Sequence, residues 1–300
     1  MEILTPRDVP LGGVRAMNVR RTLPQRQRTF VGAWCFLDHY GPDEVDPDGG
    51  MVVPPHPHTG LQTASWLFSG EIEHRDSAGH HAVVRPGELN LMTAGRGISH
   101  SEYSTAGTTR LHGAQLWLAL PDSARHTEPT FEHFAPEPVS GEGWEARVFL
   151  GSLLGSTSPV RTHSPLLGAE LRLEAGTTLR IPVDPAYEHG VLVDSGSLTV
   201  DGEALEPHAL GYLAPGLSTV EVVAAEDTLL LLLGGTPFGE RIVMWWNFIG
   251  RDHDEVAAYR QQWQHLVDAG ADDRFALPAD DPMDPLPAPP LPHVQMLPRG

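Results

Sequence analysis

The 300-residue chain contains one cysteine, Cys35, which excludes an intrachain disulfide. That suits a reducing, cytoplasmic setting, and the apolar and aromatic neighbours of Cys35 mark it as a buried, unreactive thiol. Basic residues are scarce: 20 Lys and Arg stand against 39 Asp and Glu, a formal net charge of -19. No run of Lys or Arg offsets that balance, so a phosphate backbone is repelled and direct nucleic-acid binding is disfavoured. Long apolar stretches are missing as well. The leucine run Leu229–Leu233 is far shorter than the ~20 residues a membrane helix needs, and it reads as a fully buried strand. The opening segment carries charges and prolines without an apolar core, so no secretory signal is expected.

Turn formers are abundant, with 31 glycines and 28 prolines. Between them lie short apolar or alternating runs, among them Thr63–Phe68, Leu89–Met92, Gln115–Leu120, Gly190–Val193, Val220–Ala224 and Thr228–Leu233. Short strands at this spacing predict an all-β barrel or sandwich. A helix is expected late, where Val256, Tyr259, Trp263, Leu266 and Val267 recur at helical spacing after Asp252 and before Gly270, packed on a barrel. Leu67-Phe68-Ser69-Gly70-Glu71-Ile72-Glu73 resembles Val193-Asp194-Ser195-Gly196-Ser197-Leu198-Thr199, an internal repeat of strand, Ser-Gly turn and strand. The expected organisation is an N-terminal domain over 1–130, a joining stretch Pro121–Gly143, a C-terminal domain over 145–277 and an extended tail over 278–300, in which eight of 23 residues are proline.

The chemistry concentrates in two segments. In Pro54-Pro55-His56-Pro57-His58-Thr59-Gly60 the two histidines stand two residues apart, so an extended backbone presents both imidazoles to one face. In Thr93-Ala94-Gly95-Arg96-Gly97-Ile98-Ser99-His100-Ser101-Glu102 a tight glycine turn precedes a second pair at the same spacing. If the two strands lie side by side, His56, His58, His100 and Glu102 form a set of three nitrogens and one carboxylate. Such a set suits Fe, Mn, Ni, Cu or Zn rather than the all-oxygen shells of Ca or Mg. Four protein ligands leave a position open on an ion that takes five or six, as O2 chemistry requires.

These segments, with Phe36-Leu37-Asp38-His39-Tyr40-Gly41-Pro42, Gly70-Glu71-Ile72-Glu73-His74-Arg75-Asp76-Ser77, Arg85-Pro86-Gly87 and Leu116-Trp117-Leu118-Ala119-Leu120-Pro121, resemble the pirin family of the cupin superfamily. The resemblance covers roughly residues 5–125 and is weaker over 145–250. It implies two antiparallel cupin barrels, jelly-roll-like, and an iron site, Fe2+ in the first instance, at His56, His58, His100 and Glu102. Some pirins cleave quercetin with O2 as quercetin 2,3-dioxygenases, which implies an aromatic or enol small-molecule substrate. Others are described as regulators that bind protein partners and respond to the redox state of the iron, a non-catalytic alternative.

Two departures from the family pattern bear on the site. The position four residues after His58, often Glu in cupins, is Gln62, which is expected to orient a ligand or substrate, in a catalytic role shared with Glu102. The second repeat lacks ligands: the offsets of His56 and His58 from Gly70 fall on Pro182 and Asp184 when counted from Gly196, and that of His100 from Pro86 falls on Glu221. The second barrel is therefore expected to hold no metal in this way, with His189 and His208 as ordinary histidines. Asp38 and His39 are candidates to line the pocket, Arg96 to meet an anionic group, His74, Arg75 and Asp76 to form a turn network, and Trp245 and Trp246 to pack.

Overall fold

The computed structural model describes residues 1–11, 17–45 and 50–300. The N-terminal strands are β1 (Glu2–Leu4), β2 (Arg7–Leu11), β3 (Met17–Leu23), β4 (Trp34–Glu44), β5 (Val52–His58), β6 (Leu61–Ser69), β7 (Ile72–Asp76), β8 (His81–Val84), β9 (Leu89–Thr93), β10 (Ile98–Ser104), β11 (Arg110–Ala119) and β12 (Thr130–Phe134). All but β1 build the first barrel from a seven-stranded sheet, β12-β9-β6-β11-β4-β3-β2, and a four-stranded sheet, β5-β10-β7-β8.

The second barrel follows with β13 (Val139–Gly141), β14 (Trp144–Leu150), a small hairpin of β15 (Ser152–Leu153) and β16 (Ser156–Thr157), then β17 (Leu166–Leu173), β18 (Thr178–Pro182), β19 (Glu188–Ser195), β20 (Leu198–Val200), β21 (Glu203–Leu205), β22 (Leu210–Leu213), β23 (Thr219–Ala224) and β24 (Thr228–Gly235). It repeats the pattern, with a seven-stranded sheet β1-β22-β19-β24-β17-β14-β13 and a four-stranded sheet β18-β23-β20-β21. Although β1 opens the chain, it pairs with β22. The joining stretch is not bare: β12 closes an edge of the first barrel against β9, and β13 opens the second against β14.

Alternation along the strands of the two seven-stranded sheets serves two cores. One set of side chains fills its own barrel, as Val191, Val193, Leu230 and Leu232 do in the second. The other set meets the facing barrel: Trp66, Leu116 and Leu118 pack with Phe149, Leu192, Leu231 and Leu233. Trp66 stacks on Phe149 at 4.4 Å and its indole N–H donates to Glu170 Oε2 at 2.7 Å. The repeat seen in the sequence appears here as two equivalent turns, Gly70 at φ 85° and Gly196 at φ 88°, left-handed positions that favour glycine.

The late helix, α1 (His253–Ala269), has the expected ends: Asp252 accepts from the Glu255 N–H, and Gly270 at φ 77° closes it. It does not pack on a barrel directly. Val256, Tyr259, Trp263 and Leu266 bury against the hairpin β25 (Val243–Trp245) and β26 (Phe248–Gly250), with Phe275 and Ala288. The proline-rich tail then returns over the first barrel. The Leu286 N–H donates to Pro55 O at 2.9 Å, Trp263 Nε1 donates to Leu286 O at 2.8 Å, and Asp281 accepts from Tyr103 at 2.6 Å and from Ser101. No helix of the described residues is long and apolar enough to cross a membrane.

Candidate metal centre

Strands β5 and β10 are antiparallel neighbours, with His100 opposite His56 and Ile98 opposite His58. A bulge between His100 and Glu102 shifts the register, so that Glu102 lies opposite Val53. Gly95, at φ 52°, forms the turn before β10, and a Cβ there would lie 2.0 Å from Thr127 O. Only glycine brings the chain through this turn at that approach.

The three histidines of these strands meet. Ring centroids are 5.0 Å apart for His56 and His58, 4.4 Å for His56 and His100, and 4.9 Å for His58 and His100. Their ligating nitrogens all lie within 4.8 Å of one another. His58 Nε2 and His100 Nε2 face each other at 3.0 Å. The His56 Nδ1–H donates to Pro54 O at 2.9 Å, which leaves its Nε2 bare. Glu102 lines the same cavity and forms a second close group with His74 and His100; Ser65 Oγ donates to it at 3.4 Å.

Burial sets the protonation of this cluster. It holds His56 down at about 4, with the Pro54 carbonyl opposing and His74 adding to the shift, and places His58 and His100 well below the usual imidazole range. Burial raises Glu102, against the pull of His74 and Ser65. Three neutral imidazoles with converging lone pairs and a buried carboxylate fit a transition-metal ion. The imidazoles are ready to ligate at neutral pH without first losing protons.

The cavity, about 390 Å³, is lined by Phe36, Asp38, Tyr40, His56, His58, His100, Glu102 and Trp117 of the first barrel. Met244, Trp246, Asn247 and Leu286 complete the wall from the hairpin and tail. Phe36 stacks on Trp117 at 3.9 Å. Trp246 sits at φ 51°, a strained conformation for a bulky residue; with Trp245 it packs against the hairpin and helix core, as expected, and it also walls the cavity. The Tyr40 hydroxyl is buried without a protein partner.

Several expected residues fall elsewhere. Gln62 is 1% exposed but is not among the lining residues: its amide donates to Thr93 Oγ1 at 2.9 Å, tying β6 to β9. The expected orienting role toward a ligand or substrate therefore has no geometric support. Strand alternation splits Asp38 from His39. Asp38 lines the cavity, held by Arg21 in two 2.7 Å bonds, and His39 turns to the second barrel. Arg96 pairs with Glu128 away from the cavity. His74 and Asp76 lie on the buried face of β7 with Ile72, and the expected turn network is there at Asp76, whose Oδ1 accepts from the Ala78 and His80 N–H groups of the turn that follows. The inward position of the pair was readable in the period-two alternation of Ile72, His74 and Asp76.

A second group of ligand-type side chains, His39, His112 and Asp194, lies between the barrels. Both Nε2 atoms approach Asp194 Oδ1, at 2.6 Å for His39 and 2.5 Å for His112. Burial would raise the Asp194 carboxyl, but these hydrogen bonds outweigh it and hold the group far below the carboxylate range. Arg20 Nε donates to His39 Nδ1 at 3.3 Å, so Nε2 carries the ring hydrogen and has no lone pair for a cation. The group is a hydrogen-bonded tie between barrels. In the second barrel, Pro182 and Asp184 are exposed and Glu221 forms a 2.8 Å ion pair with Arg180. His189 is buried with both ring nitrogens unpartnered, and His208 stands at φ 69°. Neither joins a ligand group among the described residues.

Two facing cupin barrels, one with a buried cluster of metal-ligand type, define the bicupin class. The chain belongs to the pirin family: residues 14–118 match Pirin and residues 168–267 match the Pirin C-terminal cupin domain. A Pseudomonas aeruginosa protein provisionally named quercetin 2,3-dioxygenase is 44% identical over 265 residues, 88% of this chain and 84% of its own. Pirin of Homo sapiens is 30% identical over 248 residues, 80% of this chain and 83% of its own. The crystal structure titled quercetin 2,3-dioxygenase from Acinetobacter baumannii superimposes with a TM-score of 0.92 at 40% identity, covering 99% of this chain and 97% of that one.

Proposed function

We propose that this pirin is a mononuclear metal dioxygenase, with iron as the working ion, held by His56, His58, His100 and Glu102, and with quercetin-like flavonols or related enols as substrates. The observation that carries this reading is that all four side chains line one cavity together with the rings of Phe36, Tyr40, Trp117 and Trp246. A cavity of about 390 Å³ is within the range of small-molecule sites. The dioxygenase names of two close relatives point the same way.

When bound, the ion supplies Lewis acidity toward a substrate oxygen and an electron couple suited to O2. The chain's own residues do the rest. Phe36 and Trp117, stacked as one surface, and Trp246 offer planar apolar contact to an aromatic ring. Asp38 is committed to Arg21, which leaves Glu102 as the lining carboxylate able to take a proton from a substrate hydroxyl. The unpartnered Tyr40 hydroxyl is a donor in place for a substrate oxygen, since a buried hydroxyl without a partner is costly unless a ligand satisfies it.

The test is aerobic incubation of the iron-loaded protein with quercetin. Consumption of O2 with release of CO is the expected result, and the absence of both across several pH values contradicts the proposal.

A further inference from the structure

His100 differs from its two partners in what stands behind it. The far nitrogen of His56 is satisfied by a backbone carbonyl, Pro54 O, which no substitution removes. The far nitrogen of His100, Nδ1, faces another side chain, His74 Nδ1, at 3.3 Å. His74 is 3% exposed. Its second nitrogen, Nε2, lies 3.4 Å from Asp76 Oδ2. Asp76 is itself fixed: its Oδ1 accepts the N–H groups of Ala78 at 2.9 Å and His80 at 3.0 Å, and His80 Nδ1 lies 3.0 Å from Oδ2. Phe131 packs against the rings of His74 and His80, with centroids at 4.9 and 5.4 Å.

A carboxylate at one end gives the row one consistent direction. Asp76 only accepts, so His74 Nε2 carries the hydrogen and His74 Nδ1 is bare. That bare nitrogen accepts from His100 Nδ1–H, and the lone pair of His100 is left on Nε2, facing His58. The opposite tautomer of His100 would set two lone pairs against each other at His74 and point a hydrogen into the cluster.

We propose that His74, oriented by Asp76, is a positioning residue that fixes the tautomer and ring orientation of His100 and thereby sets the affinity and electronic character of the metal site. The inference rests on the metal reading of His56, His58, His100 and Glu102. It assigns His74 a place behind a ligand, although His74 also lies close enough to His100 and Glu102 to compete as a ligand itself.

The full-length chain and its His74→Leu, His74→Gln and Asp76→Asn variants are stripped of metal and titrated with Co2+. Affinity is measured against a chelator, and the visible ligand-field spectrum and the imidazole count from X-ray absorption are recorded. Loss of such an outer partner weakens metal binding roughly 10–100-fold, and His74→Leu should show that loss with a shifted ligand-field spectrum and an unchanged imidazole count. His74→Gln, whose amide oxygen can accept from His100 while its NH2 donates to Asp76, should stay close to wild type. If His74→Leu fails to fold, Asp76→Asn carries the test, with a smaller loss of affinity expected and none overturning the inference. A His74→Leu chain that binds Co2+ as the wild type does, a Gln variant that falls with Leu, or the loss of one imidazole from the shell each overturns it. A wild-type chain that takes up no Co2+ overturns the metal reading, and this inference with it.

Discussion

The two barrels share a plan and differ in what they bury. Both fold as a seven-stranded and a four-stranded sheet, and both turn at a left-handed glycine between equivalent strands. In the four-stranded sheet of the first, β5 and β10 turn His56, His58, His100 and Glu102 into a cavity. In that of the second, β18 and β23 bury Leu179, Ile181, Val220 and Val222, and the residues opposite one another at Arg180 and Glu221 face solvent. An apolar interior is the default of this fold. Four buried ligand-type side chains weaken a barrel unless something binds them, because each desolvated polar group carries a cost. Their presence in one barrel only sets the two apart, and under the proposed function it makes the first the working barrel and the second the supporting one.

Acid should separate the barrels most sharply. The unfolded chain protonates its histidines from about pH 6.5 downward, whereas His56 stays neutral in the folded chain to about 4. Between those values the unfolded state binds more protons, so the stability of the metal-free protein falls as pH drops through that window. Bound metal should hold across neutral and mildly acid pH and be released only below the ordinary imidazole range, because all three histidines are held down by burial, followed by metal content after equilibrium dialysis. His189, also held down to about 4 by burial, adds to the loss of stability but releases no metal. Release centred near 6.5 would contradict the neutral cluster.

Truncation of the supporting barrel should cost stability without touching the site. Leu232 is fully buried in its core, and Leu232→Ala should cost ~2–5 kcal/mol in denaturant unfolding with the metal stoichiometry unchanged. A loss of metal in this folded variant would show that the barrels are not separate in this sense. The smallest effect belongs to the working barrel. Removing the Tyr40 hydroxyl by Tyr40→Phe takes away a group with no protein partner, so unfolding stability should stay level or rise. Substrate binding should weaken by about 1 kcal/mol, the typical worth of one hydrogen bond, read as a rise in KM for quercetin. The reverse pattern, a destabilised protein with unchanged KM, would move Tyr40 from the site to the scaffold.

Much of this contrast is legible in the sequence because it rests on local rules. The spacing of His56 and His58, and of His100 and Glu102, puts each pair on one face of an extended strand. The Asp252 and Gly270 caps mark the helix, and the Ser-Gly turns mark the repeat. What the sequence conceals is long-range. Gln62 bonds Thr93 because β6 pairs with β9, which no local pattern shows. Leu286, 230 residues from His56 by number, reaches the cavity because the tail bonds to Pro55. His39 and Asp194 meet only through the docking of the barrels. His74 was within reach of strand alternation but was masked by its closeness to the Gly70 turn.

The most direct measurement is elemental analysis of the untagged protein, purified without added metal, beside His100→Ala and the second-barrel counterpart Glu221→Ala. The expected result is about one transition-metal ion per chain, mainly iron, in the wild type and in Glu221→Ala, and background levels in His100→Ala. A wild-type chain without a bound transition metal, or a His100→Ala chain that retains it in full, would contradict the account.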